Sequence, residues 1–280
     1  MTVLLIGATG KSGTPLAQRF LKANIPVILT TRSGKVPAPF KGVRFDWLDA
    51  STYEIPFAAD PSIDRIYLIA PPVLDMFPSM KAFIDFAIQK GVKRFVLMSA
   101  AMIDAGDPIM GKAHEYLRSR EVEYCALRPT WFFDNILIHY SDTIRTQDEI
   151  VNAAGSGRIG WISTEDIADV AFKALTDQVI EHTNPIMVGP ELFTYAQIAK
   201  VLSDALGRKI THRNVTADEF KNIMVRRGMP EDYAAFMSNA DVLIAEGGEE
   251  RAFKQADFVG TRTLRDFIES HKDAEEWKSV

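Results

Sequence analysis

Short apolar runs alternate with stretches of helical periodicity through the first half of the chain. Residues 3–6 are apolar throughout and read as a strand buried on both faces, after which Leu16, Ala17, Phe20 and Leu21 recur at helical spacing. Strand-type runs follow at 26–30, 43–46, 65–70, 94–98 and 124–128. Between them lie helical stripes, Met76, Met80, Phe83, Ile84 and Ala87 and then Ala113, Tyr116 and Leu117, which read as core packing. Such alternation predicts an α/β fold, a Rossmann-type doubly wound parallel sheet covered by helices on both faces. The second half differs. Ser163-Thr164-Glu165-Asp166 opens a helix striped by Ile167, Val170, Ala171 and Ala174, and 186–188 is a short seventh strand. Thr194 with Gln197, and Thr216 with Glu219, announce two more helices that Gly207 and Gly228 close. The boundaries predicted are a sheet domain over 1–150, completed by the helix and strand at 163–188, and a smaller, mostly helical C-terminal lobe over 190–280.

Chemistry enters at the joint between the first strand and the first helix. Glycines at 7, 10 and 13 form G-x-x-G-x-x-G, where a tight turn, a close backbone approach and unpaired helix N–H groups suit a pyrophosphate. Gly7, Thr9, Gly10, Lys11, Ser12 and Gly13 are the candidate contacts. About twenty residues on, where a ribose is read in nucleotide-binding folds, the chain carries Thr31-Arg32-Ser33 rather than an acid. A guanidinium favours a 2′-phosphate, so the expected cofactor is NADP(H), with Arg32 as its reader and Lys11 and Ser33 as further contacts.

Strand ends supply the remaining candidates. Asp46 and Trp47 either border an adenine or are a capped turn and a core indole. Ala70 and Pro71 begin a turn beside the ribose and phosphates. Ser99 either faces the meeting point of nicotinamide and substrate or simply ends its strand. The loop Pro129-Thr130-Trp131-Phe132-Phe133-Asp134-Asn135 suits a cover for the nicotinamide, through Pro129 and Trp131, and a wall for an apolar substrate, through Trp131, Phe132, Phe133 and Asn135.

Composition narrows the class. With 280 residues, 47% hydrophobic content and a net charge of −5, the chain can bury a full core and lacks the clustered Lys and Arg that a nucleic acid demands. A single cysteine, Cys125 in an apolar run, excludes an intrachain disulfide and fits a buried thiol in a reducing, cytoplasmic setting. No apolar run approaches the roughly eighteen residues of a membrane span. The histidines at 139, 182, 212 and 271 lack metal-ligand spacing, so no metal is expected. The expected partner is a small apolar or cationic molecule, bound by a monomer or homodimer.

The segments G-A-T-G-K-S-G at 7–13, T-T-R at 30–32, L-M-S-A at 97–100, L-R-P-T-W-F at 127–132 and S-T-E-D-I-A at 163–168 resemble the NmrA-like group of atypical short-chain dehydrogenases/reductases. Further segments, M-G-K-A-H-E-Y-L at 110–117, R-P-T-W-F-F-D-N at 128–135, V-G-P-E-L-F-T-Y at 188–195 and L-G-R-K-I-T-H at 206–212, resemble the fungal festuclavine and agroclavine dehydrogenases of ergot alkaloid biosynthesis. The resemblance covers nearly the whole chain. It implies NADPH-dependent hydride delivery to an iminium carbon, closing the last ring of a clavine alkaloid.

One departure from the wider superfamily bears on mechanism. Short-chain dehydrogenases usually protonate a carbonyl oxygen with a tyrosine four residues before a lysine, but Pro108 stands four before Lys112 and no Tyr-x-x-x-Lys occurs. Tyr116 and Arg120 share the spacing only. A ketone's alkoxide needs a proton, whereas hydride neutralises a cationic iminium directly, so an iminium or activated alkene is the better expectation. By resemblance to atypical reductases, Lys112 bonds the nicotinamide ribose or assists proton transfer. Ser99 and His114 are the other catalytic candidates, and Asp134 and Asn135 are placed to hold a cation. Rival readings are an NmrA-like NADP(H) sensor without turnover, an NADPH-dependent quinone or enone reductase, and a cyclase or isomerase that keeps its cofactor for shape.

Overall fold

The computed structural model describes residues 1–278, which divide into two compact units. The first comprises Met1–Pro129 and Thr164–Pro185. It contains β1 (Thr2–Leu5), β2 (Val27–Thr31), β3 (Lys41–Arg44), β4 (Ile63–Leu68), β5 (Arg94–Met98) and β6 (Glu123–Pro129). These run parallel in the order β6-β5-β4-β1-β2-β3. From β1 the chain steps outward to β2 and β3, then returns to the other side of β1 with β4. The reversal between β1 and β4 is the switch point at whose carboxyl ends such sheets bind nucleotides. All of β1 and β5 is buried, as their unbroken apolar runs require.

β5 lies where the pattern places it. β3 ends two residues early because Asp46 turns the chain, its Oδ1 accepting the Leu48 N–H while the Thr52 hydroxyl accepts its own N–H. The expected Met and aromatic stripe is core: Met80, Phe83, Ile84 and Ala87 are buried in the helix Phe77–Gln89. Phe83 meets Phe45, Trp47 and Tyr53 edge-on at 4.8 to 5.5 Å.

The helix Thr164–Thr176 belongs to this unit by polar clamps at both ends. Arg19 donates to Glu165 and Asp169 at its start. At its other end Arg94, 1% exposed, donates to the carbonyls of Ala174, Asp177 and Gln178 and to Glu123. One guanidinium thus satisfies carbonyls that a helix C-terminus leaves unpaired.

The second unit comprises Thr130–Ser163 and the chain from Ile186 onward, so residues 130–150 group with it. The cause is hydrogen bonding: Thr130 donates its N–H to Met187 and its hydroxyl to Gly160, and Phe133 donates to Ile162. The unit's C-terminal part is mostly helical, and short strands accompany the helices. It pairs β7 (Glu149–Asn152) with β9 (Thr211–Asn214), and β8 (Ile186–Val188) with β10 (Phe258–Val259), both in parallel. β9 reads T-H-R-N and is mostly exposed, so it carries no apolar alternation. The threonine starts behave as expected. Thr194 forms a capping box with Gln197, and Thr216 accepts the Glu219 N–H. Cys125 is buried, and desolvation pushes its thiol up to about 12. Among the described residues no helix is long and apolar enough to cross a membrane.

Candidate functional site

β1 ends at the glycine turn, and the steric demands there explain its composition. Gly7 has φ +77°, a left-handed conformation, and faces Ile69. A Cβ on Gly13 would stand 2.6 Å from both the Ala8 Cα and the Gly7 carbonyl oxygen, so the helix Gly13–Lys22 can begin this close to the loop only without a side chain. That helix has no side-chain cap; Thr14 already donates to the Gly10 carbonyl and Pro15 has no N–H, so the Ser12 and Gly13 N–H groups are the ones left for an anion. Thr9 and Gly10 are exposed and Lys11 half-buried. Ser12 is buried and its hydroxyl accepts from Tyr67 at 3.0 Å, so Ser12 braces the loop on β4 and offers a phosphate chiefly its backbone.

Arg32 stands one residue beyond β2, exposed, with no hydrogen bond or ion pair to the other described residues. Ser33 caps its own turn, its hydroxyl accepting the Lys35 N–H. Asp46 is half-buried and caps its turn, Oδ1 accepting the Leu48 N–H; Trp47 is a core indole donating to the Ile69 carbonyl. Ala70 is half-buried and Pro71 buried just past β4.

Ser99 lies at the carboxyl end of β5, 5% exposed, and its hydroxyl has no partner among the described residues. A buried hydroxyl without a partner costs roughly 1–3 kcal/mol, which a bound ligand would recover. The N–H of Ser99 bonds to Leu127, which puts Ser99 opposite Arg128 across β5 and β6. Arg128 donates to the Ala101 carbonyl and Asp104, with Nε unpartnered. Lys112 is exposed on the helix Met110–Arg118. His114, on the same helix, is instead 2% exposed and tilted against Tyr124 at 5.9 Å. Desolvation, then Arg128 and Arg118, lower its pKa, so it is neutral and poorly suited to donate a proton. Tyr116 is held elsewhere, its hydroxyl bonded to Asp85 and Arg120.

In the second unit Trp131 is half-buried and packs on Phe220, Met224, Ala234 and Met237. Phe132 is half-buried and bridges to Ile162, but Phe133 is not a substrate wall: it is 1% exposed and packs on Phe267. Asn135 is half-buried, with its N–H bonded to Phe132. Two acids carry no signal in the pattern, because an acid on a helix, alone like Asp241 or beside another like Glu249, looks like a surface residue. Asp241 and Glu249 are 2% and 3% exposed, and desolvation raises them to about 7 and about 8. Among the described residues no group of three or more His, Cys, Asp or Glu is placed to hold a metal ion.

The NAD(P)H-binding family matches residues 7–178, spanning the glycine turn, Arg32, Ser99 and Lys112. The chain is 40% identical over 258 residues to festuclavine synthase II of Penicillium roqueforti, covering 89% of this chain and 90% of that one. It is 38% identical over 283 residues to agroclavine dehydrogenase of Claviceps fusiformis, covering 98% of each. Among solved structures, the triphenylmethane reductase of a Citrobacter species, complexed with NADP(H), superposes with a TM-score of 0.73 over 96% of this chain and 99% of that one. At 22% identity this likeness speaks for the fold.

Proposed function

The chain belongs to the NAD(P)H-binding family, with the festuclavine and agroclavine dehydrogenases as relatives, and from that membership we propose that it uses NADPH to reduce an iminium carbon in an alkaloid-type natural product. It is an NAD(P)H-dependent oxidoreductase. The residues present fit the dinucleotide, since the cradle at Gly13 has no room for a Cβ and the Ser99 hydroxyl is buried without a partner. When bound, the dinucleotide supplies the hydride.

This chain's own residues divide the rest. Gly7, Thr9, Gly10, Lys11 and Gly13, with the Ser12 backbone, seat the diphosphate on the uncapped helix start. Arg32, with Ser33 beside it, takes the 2′-phosphate. Ala70, Pro71 and Pro129 border the ribose and nicotinamide, and the Ser99 hydroxyl offers a bond at the reacting end. Lys112, exposed on its helix, is the cationic group assigned to the nicotinamide ribose. Trp131, Phe132 and Asn135 receive the substrate. The single observation that carries the iminium reading is the engagement of Tyr116 with Asp85 and Arg120. With that hydroxyl committed and His114 neutral, the chain favours a substrate whose reduction removes a positive charge and calls for no proton at the reacting atom.

Two measurements test this. Initial rates of NADPH oxidation across cyclic iminium salts, ketones, enones and quinones are expected to rank the iminium salts first, by about tenfold or more in kcat/KM over ketones. Tight NADPH binding with no turnover across the panel would favour a sensor, and quinones ranking first would favour a quinone reductase. For the cofactor, Arg32→Ala is expected to weaken NADPH by roughly 10- to 100-fold, the worth of a charge-assisted bidentate contact, while NADH changes little. Equal loss for both dinucleotides by calorimetry would remove Arg32 from this role.

A further inference from the structure

In the second unit five aromatic side chains close a ring. Centroid to centroid, Trp131 lies 6.1 Å from His139 and 6.3 Å from Trp161; Trp161 lies 5.6 Å from Tyr195; Tyr195 lies 5.5 Å from Tyr140; and Tyr140 lies 6.3 Å from His139. Trp161, Tyr195 and Tyr140 are buried, whereas Trp131 and His139 are half-buried and form its accessible side. The deep side is polar. Tyr140 donates to the Tyr195 hydroxyl and receives a bond from Asn152, itself fully buried.

Unclaimed polar groups concentrate around this ring. Asp241 stands close enough to raise the pKa of both tyrosine hydroxyls. One of its oxygens accepts the Ala153 N–H at 2.9 Å, and the carboxylate has no other partner among the described residues. Glu249 acts on Tyr195 as well, and its Oε2 has no partner; neither does the Trp161 Nε1. No lysine or arginine among the described residues pairs with either acid. Aromatic faces attract a large, weakly hydrated cation, and such a cation beside Asp241 would favour the ionised form of that carboxyl. The flank beside Trp131 is built from Met224 and Met237, whose thioethers adapt to irregular apolar shapes.

We propose that this aromatic ring, with Asp241 as its counter-charge, binds a hydrophobic organic cation, an ammonium or iminium borne on a ring system, entering past Trp131 and His139. The inference rests on the reading of the protein as an iminium reductase and gives that substrate class its anchoring point. The cation stands over the ring faces, and the Asp241 oxygen that Ala153 leaves unclaimed compensates its charge.

Non-reducible probes test the site without turnover. The NADPH-loaded protein is titrated with phenyltrimethylammonium and with its neutral isostere tert-butylbenzene, following tryptophan fluorescence and heat. The cation is expected to bind about tenfold or more tightly than the isostere. Asp241→Asn keeps an acceptor for the Ala153 N–H, so the variant is expected to stay folded by far-ultraviolet dichroism and to keep its NADPH affinity while losing the preference for charge. Should Asp241→Asn not fold, Trp131→Leu decides, since it is expected to weaken the cation more than the isostere. Equal affinity for the two probes in the native protein, or an unchanged preference in either folded variant, would make the ring core packing only. Charge preference without any imine turnover would retain the site and remove the proposed reaction; turnover without charge preference would do the reverse.

Discussion

Gly13→Ala is expected to weaken NADPH binding by about a hundredfold while leaving a folded protein. The added methyl would sit 2.6 Å from the Ala8 Cα and 2.6 Å from the Gly7 carbonyl oxygen, and both are backbone, so no side chain can swing aside to admit it. The helix start must back away from the loop, and its N–H groups move with it. A displacement on the order of 1 Å in a positioning element can cost about 10²-fold. Gly10 provides the contrast, since a Cβ there meets only the Gly7 carbonyl oxygen at 3.2 Å, and Gly10→Ala is expected to do less harm. Calorimetric titration with NADPH, beside far-ultraviolet dichroism to confirm the fold, checks this. Native-like affinity in Gly13→Ala would mean that the diphosphate sits elsewhere.

The second large effect is on stability and runs with pH. Glu249 is buried with an unpartnered oxygen, and desolvation lifts it to about 8, against an ordinary value near 4.5 in the unfolded chain. Below the unfolded value both states hold the proton, and the full stability is present. As pH rises from there toward about 8, the unfolded chain ionises and the folded protein does not, so stability drains away at up to about 1.4 kcal/mol per pH unit. Asp241 adds to the same slope up to about 7, its cause again desolvation. Glu249→Met removes the carboxyl at similar volume and leaves no unpaired polar atom. It is expected to raise the melting temperature by about 5 °C or more at pH 8 and by much less at pH 5. Melting curves at both pH values decide the matter, and parallel shifts would show that Glu249 does not titrate in this window.

Much of the first unit was legible because its signals are local. β5 follows from one unbroken apolar run, and the tight turn between β1 and the first helix follows from glycines three residues apart. The buried Met and aromatic stripe is a matter of helical period alone. What escaped depends on contacts distant in sequence. Nothing around Arg94 announces that it reaches carbonyls eighty or more residues on. The break at Pro129 follows from the bonds of Thr130 to Gly160 and Met187. Phe133 and Trp131 look alike in the sequence, yet one is sealed against Phe267 and the other half-buried on a Met cluster. The aromatic ring draws on residues from 131 to 195, so no window of sequence contains it.

The division of the chain has a consequence for biogenesis. Because the first unit is finished by residues 164–185, a nascent polypeptide that has emerged only as far as Pro129 lacks the helix that Arg19 and Arg94 secure. Until residue 178 has left the ribosome, the Arg94 guanidinium lacks its full set of carbonyl acceptors, and the stretch 130–163 passes through the exit tunnel ahead of the partners it awaits downstream. Co-translational folding of this polypeptide is therefore expected to be late and concerted, and neither half can be traded between relatives as a cassette by a single splice.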